Sequence, residues 1–149
     1  ARAETLTDKP AFRNAFNRRR CLILADGFYE WQQEPGHKVK QPHYIQLKSG
    51  KPFAMAGLWE NWTAPDSSNL LSCTIITTQP NDLIKAIHNR MPVILPTTAY
   101  ATWLQPGAVD ISQLQALLAP YPAGEMVARP VSQAVNNPAN DSPECIAPL

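Results

Sequence analysis

The chain has few cysteines, few glycines and few charged residues, and each scarcity excludes a class of protein. Its 149 residues include six glycines and three cysteines, Cys21, Cys73 and Cys145. Three irregularly spaced cysteines without a Cys-x-x-Cys pair argue against a disulfide framework and favour a reducing, cytoplasmic location. Charged residues make up 17% of the chain and the net charge is +1, so no global basic field marks it as a duplex-binding protein.

The sequence also lacks the motifs that mark membrane spans, metal sites and cofactor-binding loops. No apolar run approaches the roughly 18 residues of a membrane span, and the N-terminus has no basic-then-apolar signal pattern. No histidine, cysteine and aspartate set has metal-ligand spacing, and no glycine-rich phosphate loop is present. We therefore expect no membrane partner, no metal and no cofactor.

Apolar residues and prolines are abundant. Hydrophobic residues make up 44% of the chain, which is enough for the core of one domain of this size. The 15 prolines are about twice the average share, and many stand at segment joints. This pattern predicts short elements with stiff connections.

Hydrophobic periodicity and capping residues predict the elements. Strands are predicted over residues 20–31 (as one continuous strand), 43–47, 53–59, 72–78, 91–95 and 126–131, with a possible last strand at 145–146. Short helices are predicted after Pro10, Asn81, Thr97 and Asp110, the last three residues acting as caps, and residues 61–69 are predicted as a loop. We expect a single α+β domain built on a mostly antiparallel, curved sheet with a few short helices.

A carboxylate stands inside an aromatic triplet in the segment Asp26-Gly27-Phe28-Tyr29-Glu30-Trp31. If this strand alternates, Phe28 and Glu30 share one face and Tyr29 and Trp31 share the other. Burial beside Phe28 raises a carboxyl pKa and suits the group to proton transfer. A solvent-facing strand glutamate fits the pattern equally well.

An imidazole and a guanidinium stand together in Ile87-His88-Asn89-Arg90-Met91-Pro92. Imidazoles donate and accept protons near neutral pH, and arginine binds phosphate or a carboxylate. A capping or surface role for His88 remains the alternative, as does a frayed, solvated terminus for Arg2.

Other candidates carry weaker signals. His37 and His43 flank a hairpin and are expected at the surface, whereas Cys21 and Cys73 are expected to be inert core thiols and Cys145 less buried. Exposed aromatics, Trp31 among them, provide stacking platforms for bases. A local basic cluster at Arg13, Arg18, Arg19 and Arg20 is a candidate anion site.

Three segments, in this order, resemble the SOS-response-associated peptidase family, whose domain is called SRAP. They are Ala1-Arg2-Ala3-Glu4-Thr5, residues 26–31 and residues 87–92. The segments Arg129-Pro130-Val131-Ser132 and Val135-Asn136 resemble the family's closing part. The resemblance covers essentially all 149 residues.

The resemblance implies action on single-stranded DNA that carries an abasic site. In this family an N-terminal cysteine, exposed by removal of the initiator methionine, attacks the ring-opened sugar aldehyde and closes a thiazolidine crosslink. Glu30 and His88 match the family's active-site glutamate and histidine. Arg2 matches an arginine that contacts DNA phosphate, and Arg90 lies in the family's histidine segment near the DNA; we expect Arg2 and Arg90 to converge on one cleft with Glu30 and His88.

The chain departs from the family pattern at its start. The Met-Cys-Gly-Arg segment with the nucleophile is absent, and so is the asparagine that normally precedes the Ala-Arg step, because the sequence begins at Ala1. We therefore interpret residues 1–149 as a partial SRAP domain, about the C-terminal two thirds, and expect these residues alone to form no covalent adduct. Uncovered sheet edge is expected to promote self-association. A noncatalytic single-stranded nucleic-acid binding module remains the alternative function.

Overall fold

The computed structural model describes residues 1–107 and 109–149, which form nine short strands, four α-helices and five 3₁₀ segments. The strands are β1 (Arg20–Ala25), β2 (Phe28–Gln32), β3 (Gln41–Leu47), β4 (Phe53–Thr63), β5 (Asn69–Ile75), β6 (Thr77–Thr78), β7 (Met91–Pro92), β8 (Ile94–Leu95) and β9 (Met126–Pro130). The α-helices are α1 (Pro10–Arg18), α2 (Asp82–Lys85), α3 (Tyr100–Leu104) and α4 (Ile111–Ala116). The 3₁₀ segments are Ala3–Thr5, Thr97–Ala99, Ala123–Glu125, Gln133–Asn136 and Pro143–Cys145.

The chain divides into two compact units, each assembled from three stretches of sequence. The first unit contains Ala1–Leu24, Ala54–Gln79 and Pro92–Tyr121. The second contains Ala25–Phe53, Pro80–Met91 and Pro122–Leu149. The α+β class with antiparallel pairing is confirmed, and the assignment of residues 1–149 to a single partial domain stays a prediction.

In the first unit, β4 is the central strand of a sheet in the order β1-β4-β5, and β8 also pairs with it. Its core is formed by apolar side chains from the helices and from the sheet. Phe16 of α1, Trp103 of α3 and Leu114 of α4 are all fully buried in this cluster. Short amphipathic helices of this kind gain most of their stability from such packing.

A buried arginine joins the ends of two helices in the first unit. The guanidinium of Arg20 donates to the carbonyl oxygens of Phe16 (2.8 Å) and Asn17 (2.5 Å) at the end of α1. It also donates to Trp103 (2.7 Å) and Gln105 (2.5 Å) at the end of α3. The last carbonyls of a helix have no partner within the helix, so Arg20 satisfies acceptors that two helices leave open.

The predicted anion site at Arg13, Arg18, Arg19 and Arg20 is wrong. Arg20 is 8% exposed and its donors are used by backbone carbonyls. Arg19 forms an ion pair with Glu60 at 2.5 Å. Arg13 and Arg18 remain at the surface, so the four arginines do not form one local cationic site.

The second unit is built on a three-stranded antiparallel sheet in the order β2-β3-β9. The predicted hairpin between residues 32 and 41 is confirmed, with Phe28 opposite Ile45 and Gln32 opposite Gln41. The predicted alternation is also seen, because the rings of Tyr29 and Trp31 lie 6.3 Å apart on one face. Strand β9 adds to β3 with Tyr44 opposite Arg129.

The predicted continuous strand over residues 20–31 is wrong. The chain leaves β1 at Ala25 and begins β2 at Phe28, and the two strands lie in different sheets. Gly27 stands at the break, where a built Cβ would lie 2.2 Å from Cζ of Tyr44. The aromatic ring therefore occupies the side-chain space of this position, and only glycine fits there.

Other element boundaries also differ from the predictions. Strand β4 continues to Thr63, so the loop predicted over 61–69 is shorter, because Trp62 pairs with Leu70 on β5. The segments 72–78 and 91–95 each divide into two strands. The possible last strand at Cys145–Ile146 is wrong, because Pro143 begins a 3₁₀ turn there.

Two of the three predicted caps are confirmed. The side chains of Asn81 and Asp110 accept hydrogen bonds from the amides of Ile84 (3.0 Å) and Ser112 (2.9 Å). Thr97 caps nothing, since it lies inside the 3₁₀ segment before α3.

The cysteine predictions are partly wrong. Cys73 is exposed and Cys145 is buried, the reverse of what was expected, and Cys21 is half-buried. The reversal follows from the position of β5 at the sheet edge, since all but one of its side chains are exposed. No helix among the described residues is long and apolar enough to cross a membrane.

Candidate active site

Glu30 lies in the middle of β2 with its carboxyl group in a partly enclosed position. Its side chain is 20% exposed. Burial raises the pKa of Glu30 above its ordinary value, and the neighbouring His88 partly offsets this by lowering it. A carboxyl with a raised pKa exchanges protons closer to neutral pH than a surface glutamate does.

His88 lies close to Glu30 because the short helix α2 ends just before His88. Helix α2 is held at its start by the Asn81 cap and at its end by Gln32, whose side-chain amide donates to the carbonyl of Ala86 at 2.9 Å. Gln32 lies two residues after Glu30 on β2, so the same strand positions both partners. Nδ1 of His88 lies 3.6 Å from Oε2 of Glu30, an ion-pair distance that is too long for a direct hydrogen bond.

The backbone around His88 accommodates both protonation states of its ring. Nδ1 lies 3.1 Å from the carbonyl oxygen of Arg90, which only accepts, and 3.3 Å from the amide of Arg90, which only donates. A protonated Nδ1 donates to the carbonyl, whereas a bare Nδ1 accepts from the amide. The imidazole therefore keeps a backbone partner when it gains or loses a proton.

His43 is a member of this group that the sequence reasoning placed at the surface. It stands directly opposite Glu30 in the β2–β3 pair, and directly opposed residues project to the same face of a sheet. Its Nδ1 lies 3.2 Å from the carbonyl oxygen of Gln41, which requires a proton on Nδ1 and leaves Nε2 as the other donor or acceptor. Counting the hairpin register from Gln32 and Gln41 is the signal that would have found it.

The remaining predicted residues are distributed as follows. Arg90 follows His88 within the second unit, and the backbone of Arg90 provides both contacts to the His88 ring. Trp31 is on the opposite face of β2 from Glu30, where its indole donates to Oδ1 of Asn136 at 2.7 Å. Arg2 belongs to the first unit, where it is exposed and bridges to Thr77 in parallel orientation. The predicted DNA contacts of these three residues stay predictions.

A half-open carboxyl–imidazole pair with a second histidine beside it has the groups that general acid–base chemistry requires. Such a site, on a small α+β fold, is consistent with an acid–base enzyme and does not by itself specify a substrate. Comparison with known proteins identifies the family.

The chain belongs to the SOS response associated peptidase (SRAP) family, whose match covers residues 1–138. It is 52% identical to the abasic site processing protein YoqW of Bacillus subtilis over 98% of this chain. It is 35% identical to the abasic site processing protein HMCES of Rattus norvegicus over 99% of this chain. A crystal structure of a Bacteroides thetaiotaomicron protein covers the whole chain with a TM-score of 0.91 at 30% identity.

The chain is shorter than these relatives. It spans 65% of the length of YoqW and 48% of the length of HMCES. It also spans 65% of the Bacteroides protein.

Proposed function

We propose that this chain binds single-stranded DNA at an abasic site and provides the proton-transfer residues for a covalent crosslink to that site. The crosslink forms in a protein that carries the family's N-terminal cysteine ahead of these residues. The observation that carries the proposal is the Glu30–His88 pair, 3.6 Å apart and partly shielded from solvent. The abasic-site-processing relatives support the choice of substrate.

The proposed chemistry assigns the proton movements to these two residues. The ammonium group of the cysteine gives a proton to Glu30, and the neutral amine then attacks the aldehyde carbon of the ring-opened sugar. His88 donates a proton to the carbinolamine oxygen, which leaves as water and gives an iminium ion. The thiol of the same cysteine returns a proton to His88, and the resulting thiolate adds to the iminium carbon and closes the thiazolidine. A carboxyl with a raised pKa suits the first step because it takes up a proton readily near neutral pH.

The binding half of the proposal is tested with the chain alone. Fluorescence anisotropy compares four labelled DNAs: single strand and duplex, each with and without one abasic site. We expect the abasic single strand to bind most tightly. Equal binding of intact duplex and abasic single strand would contradict the proposal.

Salt dependence tests whether phosphate contacts provide the affinity. Each phosphate contact on a single strand contributes about −0.7 to the slope of log K against log salt. We expect a shallow slope for this chain of net charge +1, reduced by about 0.7 in Arg2→Ala and again in Arg90→Ala. Arg13→Ala, at an exposed position of α1, is the control and leaves the slope unchanged. A slope unaffected in both test variants would remove these residues from the interface.

We also propose that the chain self-associates through β5. Among the described residues this strand pairs only with β4, and the amino group of Ala1 donates to the carbonyl of Ile75 at the end of its other edge. Leu70 and Leu71 on it are 59% and 71% exposed. A long apolar edge strand is a template for pairing with another strand.

Light scattering after size-exclusion chromatography tests the association. We expect the mass to rise above that of one chain as the concentration increases, and Leu71→Lys to restore the single-chain mass because a charged side chain blocks edge pairing. Val39→Lys is the matched control, since Val39 is 62% exposed and lies in the β2–β3 loop. A single-chain mass at every concentration would exclude the proposal.

A further inference from the structure

A polar pocket of the first unit has no role in the chemistry described above. Its volume is about 340 Å³, and three segments of the chain form its walls. Glu4 contributes one wall, Gln79 the second, and Gln115 together with Leu118 the third. Pockets with an apolar base and a few converging polar groups are the usual form of a small-ligand site.

The pocket adjoins Arg2, the residue proposed to hold DNA phosphate. Arg2 and Thr77 form an isolated parallel bridge, and the residues that follow each of them line the pocket. Ala3 and Glu4 follow Arg2, and Thr78 and Gln79 follow Thr77. A phosphate held by Arg2 therefore lies at one end of the pocket. The base of the same nucleotide lies beside that phosphate and can enter the pocket.

The pocket lining offers an apolar floor and a polar rim. Ala3 and Leu118 line the floor, and Leu118 is 7% exposed. Gln79 and Gln115 are exposed at the rim, and each side-chain amide offers two donors and one acceptor oxygen. If a flat heterocycle packs on Leu118, its hydrogen-bonding edge faces these two amides and the carboxylate of Glu4.

We propose that this pocket binds a nucleobase that neighbours the abasic site, and that it selects bases with an exocyclic amino group. This inference rests on the proposed function, because it takes single-stranded abasic DNA as the substrate. Adenine, cytosine and guanine each present an amino group that donates to an amide oxygen or a carboxylate, and glutamine pairs with adenine through two hydrogen bonds. Thymine has no amino group, and its one N–H donor stands between two carbonyl oxygens that the carboxylate of Glu4 repels, so it is the disfavoured base.

Free nucleosides test the pocket without abasic DNA. In NMR titrations of the full chain, adenosine and cytidine are expected to shift the side-chain amide signals of Gln79 and Gln115, and thymidine is expected to leave them in place. The signals are assigned with the Gln79→Leu and Gln115→Leu variants. Equal shifts with thymidine, or no shift with any nucleoside, would overturn the inference while leaving the proposed DNA binding intact.

Binding to abasic strands tests the selection on DNA. Single strands that differ only in the base on either side of the abasic site are compared by anisotropy. We expect thymine on the recognised side to bind about fivefold more weakly than adenine, the low end of the discrimination a base contact gives. Gln115→Leu is expected to reduce this ratio to below twofold without weakening binding of the thymine strand.

Gln113→Leu is the matched control. Gln113 is an exposed glutamine on the same helix, α4, and it is not among the residues that line the pocket. It is expected to keep the fivefold ratio. Equal affinity for all four bases on both sides, or the same loss in Gln113→Leu as in Gln115→Leu, would contradict the base pocket. Loss of the preference for abasic strands over intact strands would instead contradict the proposed function.

Discussion

Replacing Glu30 by glutamine is expected to slow crosslinking to abasic single-stranded DNA by about 10²–10⁴-fold, the usual contribution of a general acid or base. Glutamine keeps the shape of the side chain but carries no charge and takes up no proton. The same range is expected for His88→Ala. The measurement uses a protein that carries the family's cysteine segment ahead of Ala1, and follows the shifted band on a denaturing gel with time.

The pH profile separates proton transfer from a structural role of Glu30. Glu30 acts as a base only when it is ionised, so the rate falls as pH drops through its pKa. Because burial raises that pKa, the fall begins at a higher pH than it would for an exposed glutamate. In Glu30→Gln the remaining slow reaction is expected to lose this acidic limb.

His37→Ala is the control for the two site variants. His37 has a side chain that is 66% exposed in the β2–β3 loop, and its replacement is expected to leave the rate unchanged. DNA affinity is expected to stay within about twofold in all three variants, since none of these side chains is proposed to hold phosphate. Unchanged crosslinking in both Glu30→Gln and His88→Ala would favour a noncatalytic single-strand binding module.

Arg20→Met is expected to produce the largest loss of stability, about 3 kcal/mol or more. Methionine fills part of the volume but donates no hydrogen bond, and it leaves the carbonyl groups of Phe16, Asn17, Trp103 and Gln105 without their partner. Each buried acceptor left unsatisfied costs about 1–3 kcal/mol. Denaturant unfolding followed by circular dichroism measures the difference in the free energy of unfolding.

The matched control is Arg13→Met on the exposed side of α1, where surface replacements usually change stability by less than about 0.5 kcal/mol. A change below 1 kcal/mol in Arg20→Met would show that water replaces the guanidinium at these carbonyls and that Arg20 has no capping role.

The correct predictions were those for which a few neighbouring residues are enough to form the structure. Asn81 and Asp110 were predicted as caps because each is a short polar residue just before a stretch with helical spacing of apolar residues. Such a cap bonds to an amide two or three residues later and needs no distant partner. The β2–β3 hairpin and its alternation followed from the same local logic. Burial of Glu30 beside Phe28 was one of two alternatives that the pattern left open, and the side chain is 20% exposed.

Predictions that depended on distant partners failed more often. The single strand over 20–31 was broken by the ring of Tyr44 against Gly27, a contact that sequence neighbours do not reveal. The basic cluster looked like an anion site because four arginines are close in sequence, yet Arg20 points to carbonyls more than 80 residues away. Cys73 was predicted as core because it lies in an apolar strand, but that strand is at a sheet edge.

The sequence by itself determined the family, the α+β class and the identity of the acid–base candidates, because these depend on short ordered motifs and on local period. Only the tertiary structure decided which side chains meet. It placed His88 at 3.6 Å from Glu30 and put His43 opposite Glu30. The physical reason is that strand register and helix ends are fixed by packing between distant segments, which one-dimensional periodicity does not encode.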